Sequence, residues 1–332
     1  MTETLFLTSD DVSGLATPAD YVDRVADGYR QRGDGAPADP RTALFADDPT
    51  GMLTSYTAIL PEDGYMGGYT YSAGFGAGDA WFMTPLFDAD SGEPLALLDG
   101  ASMNPFKTGA TGAVGVDMLA RENATRVGVI GSGAQARGQL RATATVRELT
   151  AVEVYSPTAA NREAFAEEMT ETLGVDVTAV ESSTAAVADA DIVITATSAS
   201  DPVFDGDQLA PGTHVTAMGQ YNPNKRELDT TTIERSTYVP DLRDRATQDA
   251  GSFLHAIDAG VIDESHIHAE LGDIVADNAV GRTSDEEITV FDSGGTAIET
   301  VAAAGMLYER AREQGLGSTI EFAPASDALT GK

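Results

Sequence analysis

The sequence predicts an α/β protein, a doubly wound parallel sheet joined to a second α+β domain, and three observations support this. Residues 121–220 alternate short, wholly apolar strand segments with helical ones, the pattern of a parallel sheet covered on both faces. The strand segment RVGVI runs straight into GSGAQA, a glycine turn that opens a helix. Residues 51–98 break that alternation, with strand signals punctuated by Gly, Pro and Asp and no helix between them.

Along the chain, SDDVSGLATPADYVDRVADGYRQRG opens on capping residues and continues with Leu15, Tyr21, Val25 and Tyr29 at helical spacing. MLTSYTAIL, GGYTYSAGF, WFMTPLFD and PLALLDG read as strands. The glycines from Gly64 to Gly78 read as strand turns, since no Gly-Lys-Ser/Thr and no helix follow them. Residues 103–120 form a helix of small residues suited to close packing. After RVGVI and its helix come the strand AVEVYS, the helix NREAFAEEMTETLG, and the strands VDVTAV, ADIVITAT and THVTAMG. Residues 230–290 continue with helices, among them GSFLHAIDAGVI. ITVFDSGGTAIETVAAAGMLYERARE closes with a strand, a glycine turn and a long helix. The expected domains are 1–120, completed by a C-terminal helix at about 300–332, and a nucleotide-binding domain at 121–299.

The charge excludes some functions. The 332 residues include 32 Asp and 21 Glu against 17 Arg and 3 Lys, a formal net charge of −33. With 42% hydrophobic residues the chain has the apolar inventory of a folded protein rather than a disordered acidic one. Such a surface repels phosphate, which argues against nucleic-acid partners. Repulsion of this size destabilises a compact state in dilute salt. At molar salt the Debye length falls to about 3 Å and most of it is screened. Carboxylate excess with scarce lysine resembles the surfaces of salt-in halophilic archaea. No basic n-region, no apolar h-region and no membrane-length apolar run is visible, so a high-salt cytoplasm is the expected location. There is no cysteine, hence no disulfide framework and no thiolate metal site.

Gly131-Ser132-Gly133-Ala134-Gln135-Ala136 has the form of a Rossmann dinucleotide loop. The first glycine permits the turn, the second lets backbone approach a pyrophosphate, and Ala136 takes the small packing position. Free N–H groups and the helix dipole favour an anion there. The following strand ends in Tyr155-Ser156-Pro157-Thr158, with no carboxylate before Glu163 to bond a ribose 2′-OH. Ser156 and Thr158 can donate hydrogen bonds and Arg162 can pair with a phosphate, so NADP(H) is favoured over NAD(H). His214, His255, His266 and His268 have structural or surface roles, and His266-Ile-His268 is too little for a metal site.

Several motifs in order resemble the ornithine cyclodeaminase and mu-crystallin family from about Arg41 to Gly315. They are PLFDADSGEPLALLDGASMNPFKTGATGAVGVDMLA, VGVIGSGAQA, ADIVITATSASDPVF, PGTHVTAMG, NPNKRELD and LGDIVADNAVGRTSDEEITVFDSGGTAIE. The resemblance implies hydride exchange between a nicotinamide and the α-carbon of an amino or imino acid. It also implies a homodimer, a substrate and dimerisation domain at the N-terminus, and Thr197 and Gly219 at the ends of later nucleotide strands.

Residue by residue the resemblance is uneven. Arg41 occupies the place of an early carboxylate-binding arginine. Lys107, followed by Thr108, stands where a second arginine is usual; lysine keeps the charge but lacks the bidentate fork. Tyr69 falls where lysine is usual, and Tyr221 where aspartate is usual. Apart from Lys332, only Lys107 and Lys225 use an ammonium in this chain, which marks Lys107 as a chemical requirement. Lys225 is equally readable as a solvated turn. Arg41 and Lys107 would hold a carboxylate, while Tyr69 or Tyr221 would donate a proton or a hydrogen bond. Each tyrosine is otherwise a packed aromatic with a satisfied hydroxyl.

The leading function is an NAD(P)H-dependent reductase of an imino acid or cyclic imine, including reductive amination of a 2-oxo acid. Ornithine cyclodeaminase is the alternative enzyme, and a mu-crystallin-type NADP-dependent binder with little turnover is the alternative class.

Overall fold

The computed structural model describes residues 2–330; Met1, Gly331 and Lys332 lie outside the described residues. The chain divides into two compact units, Met1–Asn104 with Thr296–Lys332, and Pro105–Gly295. The first unit begins with β1 (Thr2–Leu7), α1 (Ser9–Val12) and α2 (Pro18–Gly33). One helix was expected here, and there are two. Gly14 turns the chain at φ 76°, and Thr17 restarts it with a capping box closed by Asp20. Tyr21, Val25 and Tyr29 then share the buried stripe of α2.

β2 (Thr42–Asp47), β3 (Thr50–Leu60), β4 (Tyr65–Gly74), β5 (Asp79–Asp88) and β6 (Pro94–Asp99) follow. The positive-φ glycines Gly64, Gly74 and Gly78 make the connections between β3, β4 and β5, as strand turns should. β1 and β2 are additions to the four strands read from the sequence.

The second unit opens with α3 (Asn104–Leu119), β7 (Arg126–Ile130) and α4 (Ala134–Val146). Next come β8 (Ala151–Tyr155), α5 (Ala159–Leu173), β9 (Val177–Ala179), α6 (Ser183–Val187), β10 (Ile192–Thr195) and β11 (His214–Ala217). α7 (Thr230–Glu234), β12 (Ser236–Pro240), α8 (Arg243–Asp249), α9 (Gly251–Asp258), α10 (Leu271–Val275) and β13 (Ile288–Asp292) complete it. The span 230–290 is therefore not only helical: β12 pairs in parallel with β13. The chain returns to the first unit as α11 (Ala297–Gln314), β14 (Ser318–Phe322) and α12 (Ala325–Thr330). The C-terminal segment expected as one helix thus contains a strand, which pairs antiparallel with β1.

The expected boundary at residue 120 falls instead after Asn104. The reason is α3, whose small residues pack on α4. A Cβ on Gly109 would lie 2.3 Å from the Gly138 carbonyl oxygen, and one on Gly138 2.1 Å from that of Pro105. The two backbones touch because neither crossing position carries a side chain.

The sheet of the second unit has the order β12-β13-β11-β10-β7-β8-β9, and every pairing is parallel. Counted along the chain this is 3-2-1-4-5-7-6, so the order reverses between β7 and β10. Ligands of such sheets bind outside the carboxyl ends of the strands at that switch. His214 on β11 is fully buried between Thr289 and Thr216, with ring nitrogens 2.9 and 3.0 Å from their hydroxyls. Burial pushes its pKa down to about 3, so it is a neutral packing residue.

The sheet of the first unit has the order β14-β1-β6-β5-β4-β3-β2. α2 and α11 cover one face, where a Gly28 Cβ would meet Ile298 at 3.2 Å and Ala302 at 3.3 Å. β3 alternates accordingly: Thr54, Tyr56, Ala58 and Leu60 are buried, while Leu53, Thr57 and Ile59 are exposed. On the other face Leu44, Leu53, Ser72 and Trp81 stand opposite one another across four strands. Leu44, Leu53 and Trp81 are 67, 45 and 64% exposed. A cavity of about 430 Å³ lined by Thr4, Pro85, Phe87, Leu97 and Phe322 continues along the same side of β5.

Candidate nucleotide and substrate residues

At the carboxyl end of β7 the chain must turn sharply into α4, and Gly131 permits this at φ 120°. A side chain there would lie 2.3 Å from the Ala196 carbonyl oxygen. Gly133, the N-cap of α4, has nothing within 4 Å of its Cβ position, and no side chain caps the helix. Gly133 and Ala134 are exposed, Ser132 and Gln135 half-buried, and Ala136 is buried. A glycine cradle open on one side with an uncapped first helical turn fits a pyrophosphate. Arg137, which the sequence reading passed over, folds back to donate to the Ser132 and Gly133 carbonyls and pairs with Glu168 at 2.7 Å. That engages two carbonyls of the loop.

The end of β8 lies beside this loop. Ser132 Oγ donates to Ser156 Oγ at 2.9 Å, and Arg162 donates to the Ser156 carbonyl at 3.0 Å. The Arg162 guanidinium also lies 5.9 Å from the Tyr155 ring centre. Thr158 is exposed at the N-cap of α5, again without a side-chain cap. Ser132, Ser156 and Arg162 are therefore joined by hydrogen bonds.

Thr197 and Gly219 follow β10 and β11, and both bond to a residue not singled out from the sequence. Glu227 is 2% exposed and accepts four hydrogen bonds. Thr197 N–H and Thr197 Oγ1 reach Oε1, each at 2.6 Å, while Thr195 Oγ1 and Gly219 N–H reach Oε2 at 2.9 and 2.7 Å. Burial pushes its carboxyl above the usual range, and these four donors oppose that shift. Tyr221, two residues beyond Gly219, is 39% exposed.

Lys107 and Thr108 lie in the first turns of α3 and are 2 and 5% exposed. The Thr108 carbonyl accepts from Gln139 Nε2 at 2.9 Å, and Gln139 is fully buried on α4. A Cβ on Gly112 would strike the same Gln139 amide. One α4 side chain thus ties the Lys107–Thr108 turn to the helix that opens at the glycine loop. Glycines at 109, 112 and 138 were the available signal for this crossing.

In the first unit Arg41 is 5% exposed, its guanidinium 5.6 Å from the Tyr56 ring centre. Tyr56 and Tyr69 meet edge to face at 5.8 Å, so Arg41 and Tyr69 flank one aromatic ring. The Tyr69 hydroxyl donates to the Gly100 carbonyl at 3.0 Å. Burial pushes its pKa well above the ordinary tyrosine value, so it is protonated. Among the described residues no group of three His, Cys, Asp or Glu could hold a metal, and no helix is long and apolar enough to cross a membrane.

Comparison with known proteins shows the family and the fold. The pattern of the ornithine cyclodeaminase/mu-crystallin family matches residues 2–315. The chain belongs to that family. Similar members include a Δ1-pyrroline-2-carboxylate reductase of Bacillus cereus, 39% identical over 238 residues, which are 71% of this chain and 73% of that protein. The Δ1-pyrroline-2-carboxylate reductase of Thermococcus litoralis, solved with NADH and L-proline, shares 33% identity at a TM-score of 0.91, covering 96% of this chain and all of that one. An archaeal alanine dehydrogenase dimer with bound NAD shares 31% identity at a TM-score of 0.90, covering 97% of this chain and all of that one.

Proposed function

We propose that this family member is an NAD(P)H-dependent oxidoreductase that reduces a cyclic imino acid or forms an amino acid by reductive amination. The observation that carries this is the uncapped first turn of α4 beside Gly131, and the full-length likeness to a Δ1-pyrroline-2-carboxylate reductase supports it. When bound, the reduced nicotinamide supplies a hydride. The protein's own residues bind, orient and protonate. Arg41 and Lys107, with Thr108, neutralise the substrate carboxylate. A tyrosine hydroxyl serves the imine nitrogen as hydrogen-bond or proton donor. Tyr69, whose hydroxyl bonds the Gly100 carbonyl, or Tyr221 supplies that group. The unit Met1–Asn104 with Thr296–Lys332 would carry substrate binding and dimerisation, and Pro105–Gly295 the nucleotide.

The direct test is oxidation of NADH and NADPH with Δ1-pyrroline-2-carboxylate, its six-membered homologue, and pyruvate with ammonia. Turnover of a cyclic imino acid or of the pyruvate pair is expected. Conversion of ornithine to proline and ammonia would establish the cyclodeaminase instead, and cofactor binding without turnover would establish the binder. The lack of a carboxylate in the sequence between Tyr155 and Glu163 supports NADP(H) over the NAD(H) held by the two similar structures. Arg162→Glu should then weaken NADPH about tenfold, the ~1.4 kcal/mol of one charge-assisted contact. Equal NADPH affinity in that variant would remove Arg162 from the site.

The proposal extends to a homodimer working in a high-salt cytoplasm. The row of Leu44, Leu53 and Trp81 is an exposed apolar patch that supports a second copy on that face. In molar KCl the protein should sediment as a dimer with full helical signal, and dilute buffer should cost both. A stable, active chain in buffer without added salt would refute the halophilic reading, and a monomer in molar KCl the dimer.

A further inference from the structure

The loops leaving β10 and β11 carry no glycine cradle, yet they are held in fixed relation by a single buried carboxylate. The sheet explains why that matters. β8 and β9 lie on one side of β7, where a dinucleotide places its adenosine half, so the nicotinamide half falls to β10 and β11. We propose that Glu227 is a positioning residue for the nicotinamide half of the cofactor, because its carboxylate draws the Thr197 and Gly219 backbones inward and sets the ledge they form. The proposal rests on the oxidoreductase reading above.

The chemistry calls for a carboxylate. Each oxygen takes one backbone N–H, which cannot rotate away, and one hydroxyl. A glutamine has one acceptor oxygen, so its NH2 must face the N–H of either Thr197 or Gly219. The fit is close on the other side too: a Cβ on Gly219 would lie 2.4 Å from Glu227 Oε1. Gln220 Nε2 adds a bond to the Thr197 carbonyl at 3.0 Å, so the two loops are tied twice. Removing the carboxylate leaves part-buried N–H groups without their acceptor, and the loops must shift to satisfy them.

The test compares NADH with ADP-ribose, which lacks the nicotinamide, by titration of wild-type protein and Glu227→Gln. Glu227→Gln is expected to weaken NADH at least tenfold and to leave ADP-ribose within twofold. Unchanged NADH affinity overturns the proposal, as does an equal loss for both ligands, which a purely structural role would give. Where Glu227→Gln does not fold, Thr195→Val removes one of the four donors while keeping shape. It should weaken NADH at least threefold and spare ADP-ribose; equal effects again overturn the proposal. Wild-type protein that binds neither NADH nor NADPH would sink the oxidoreductase reading itself, a separate outcome from a wild type that binds and variants that do not differ from it.

Discussion

Arg245→Met should cost the protein about 3–5 kcal/mol of stability, the usual price of stripping the counter-charge from a buried ion cluster. Arg245 is fully buried. Its Nε lies 2.8 Å from Asp241 Oδ1 and its Nη2 2.8 Å from Asp292 Oδ1, with Asp249 at 3.7 Å. Asp241 uses its other oxygen to accept from the Gly294 and Gly295 N–H groups at 2.8 and 3.0 Å, and Asp292 accepts from the Tyr238 hydroxyl at 2.7 Å. Methionine keeps much of the arginine's length and none of its charge, so carboxylates buried around it face one another unneutralised. The native fit is close, since a Cβ on Gly294 would lie 2.7 Å from the guanidinium. Urea unfolding at one fixed KCl concentration measures the effect without an ionic denaturant. A loss under about 1 kcal/mol would mean that the carboxylates are protonated or hydrated once the arginine is gone.

Lys107→Met should lower kcat/KM for the imino acid about a hundredfold while leaving NADH affinity within twofold. A desolvated charge pair broken on one side costs about 2–5 kcal/mol, and ~2.7 kcal/mol is a hundredfold. The lysine is 2% exposed, so methionine substitutes for its buried stem without a cavity. The loss should fall on KM first, as for a group that binds the substrate carboxylate equally in the ground and transition states. An amide or ester of the substrate, lacking the carboxylate, should not distinguish variant from wild type. Full turnover by Lys107→Met would remove the residue from the substrate site.

The second unit of the protein was legible because its signals are local. RVGVI, GSGAQA and the helix after them state strand, turn and helix in consecutive residues, and the structure has β7, the Gly131 turn and α4 in that order. β1 and β14 were not legible, since a strand pair more than 300 residues apart in sequence leaves no local trace. β12 was missed because STYVP is five residues long and lies among helices. In the candidate site the residues with a backbone signature were found, and those acting on backbone were not. Glu227 and Gln139 each bond to main-chain groups brought by other segments, and no spacing rule encodes that. Tyr69 was legible as a departure from the family pattern, while its bond to Gly100 was visible only in three dimensions.

The interrupted first unit also constrains how the protein is made. Its sheet needs β14 as the partner of β1, and its core needs α11, so residues 2–7 wait for residues 297–322 to be synthesised. The second unit is one continuous stretch from Pro105 to Gly295 and can close as soon as it leaves the ribosome. Chains truncated after residue 295 should therefore hold a protease-resistant second unit beside an N-terminal segment open to cleavage.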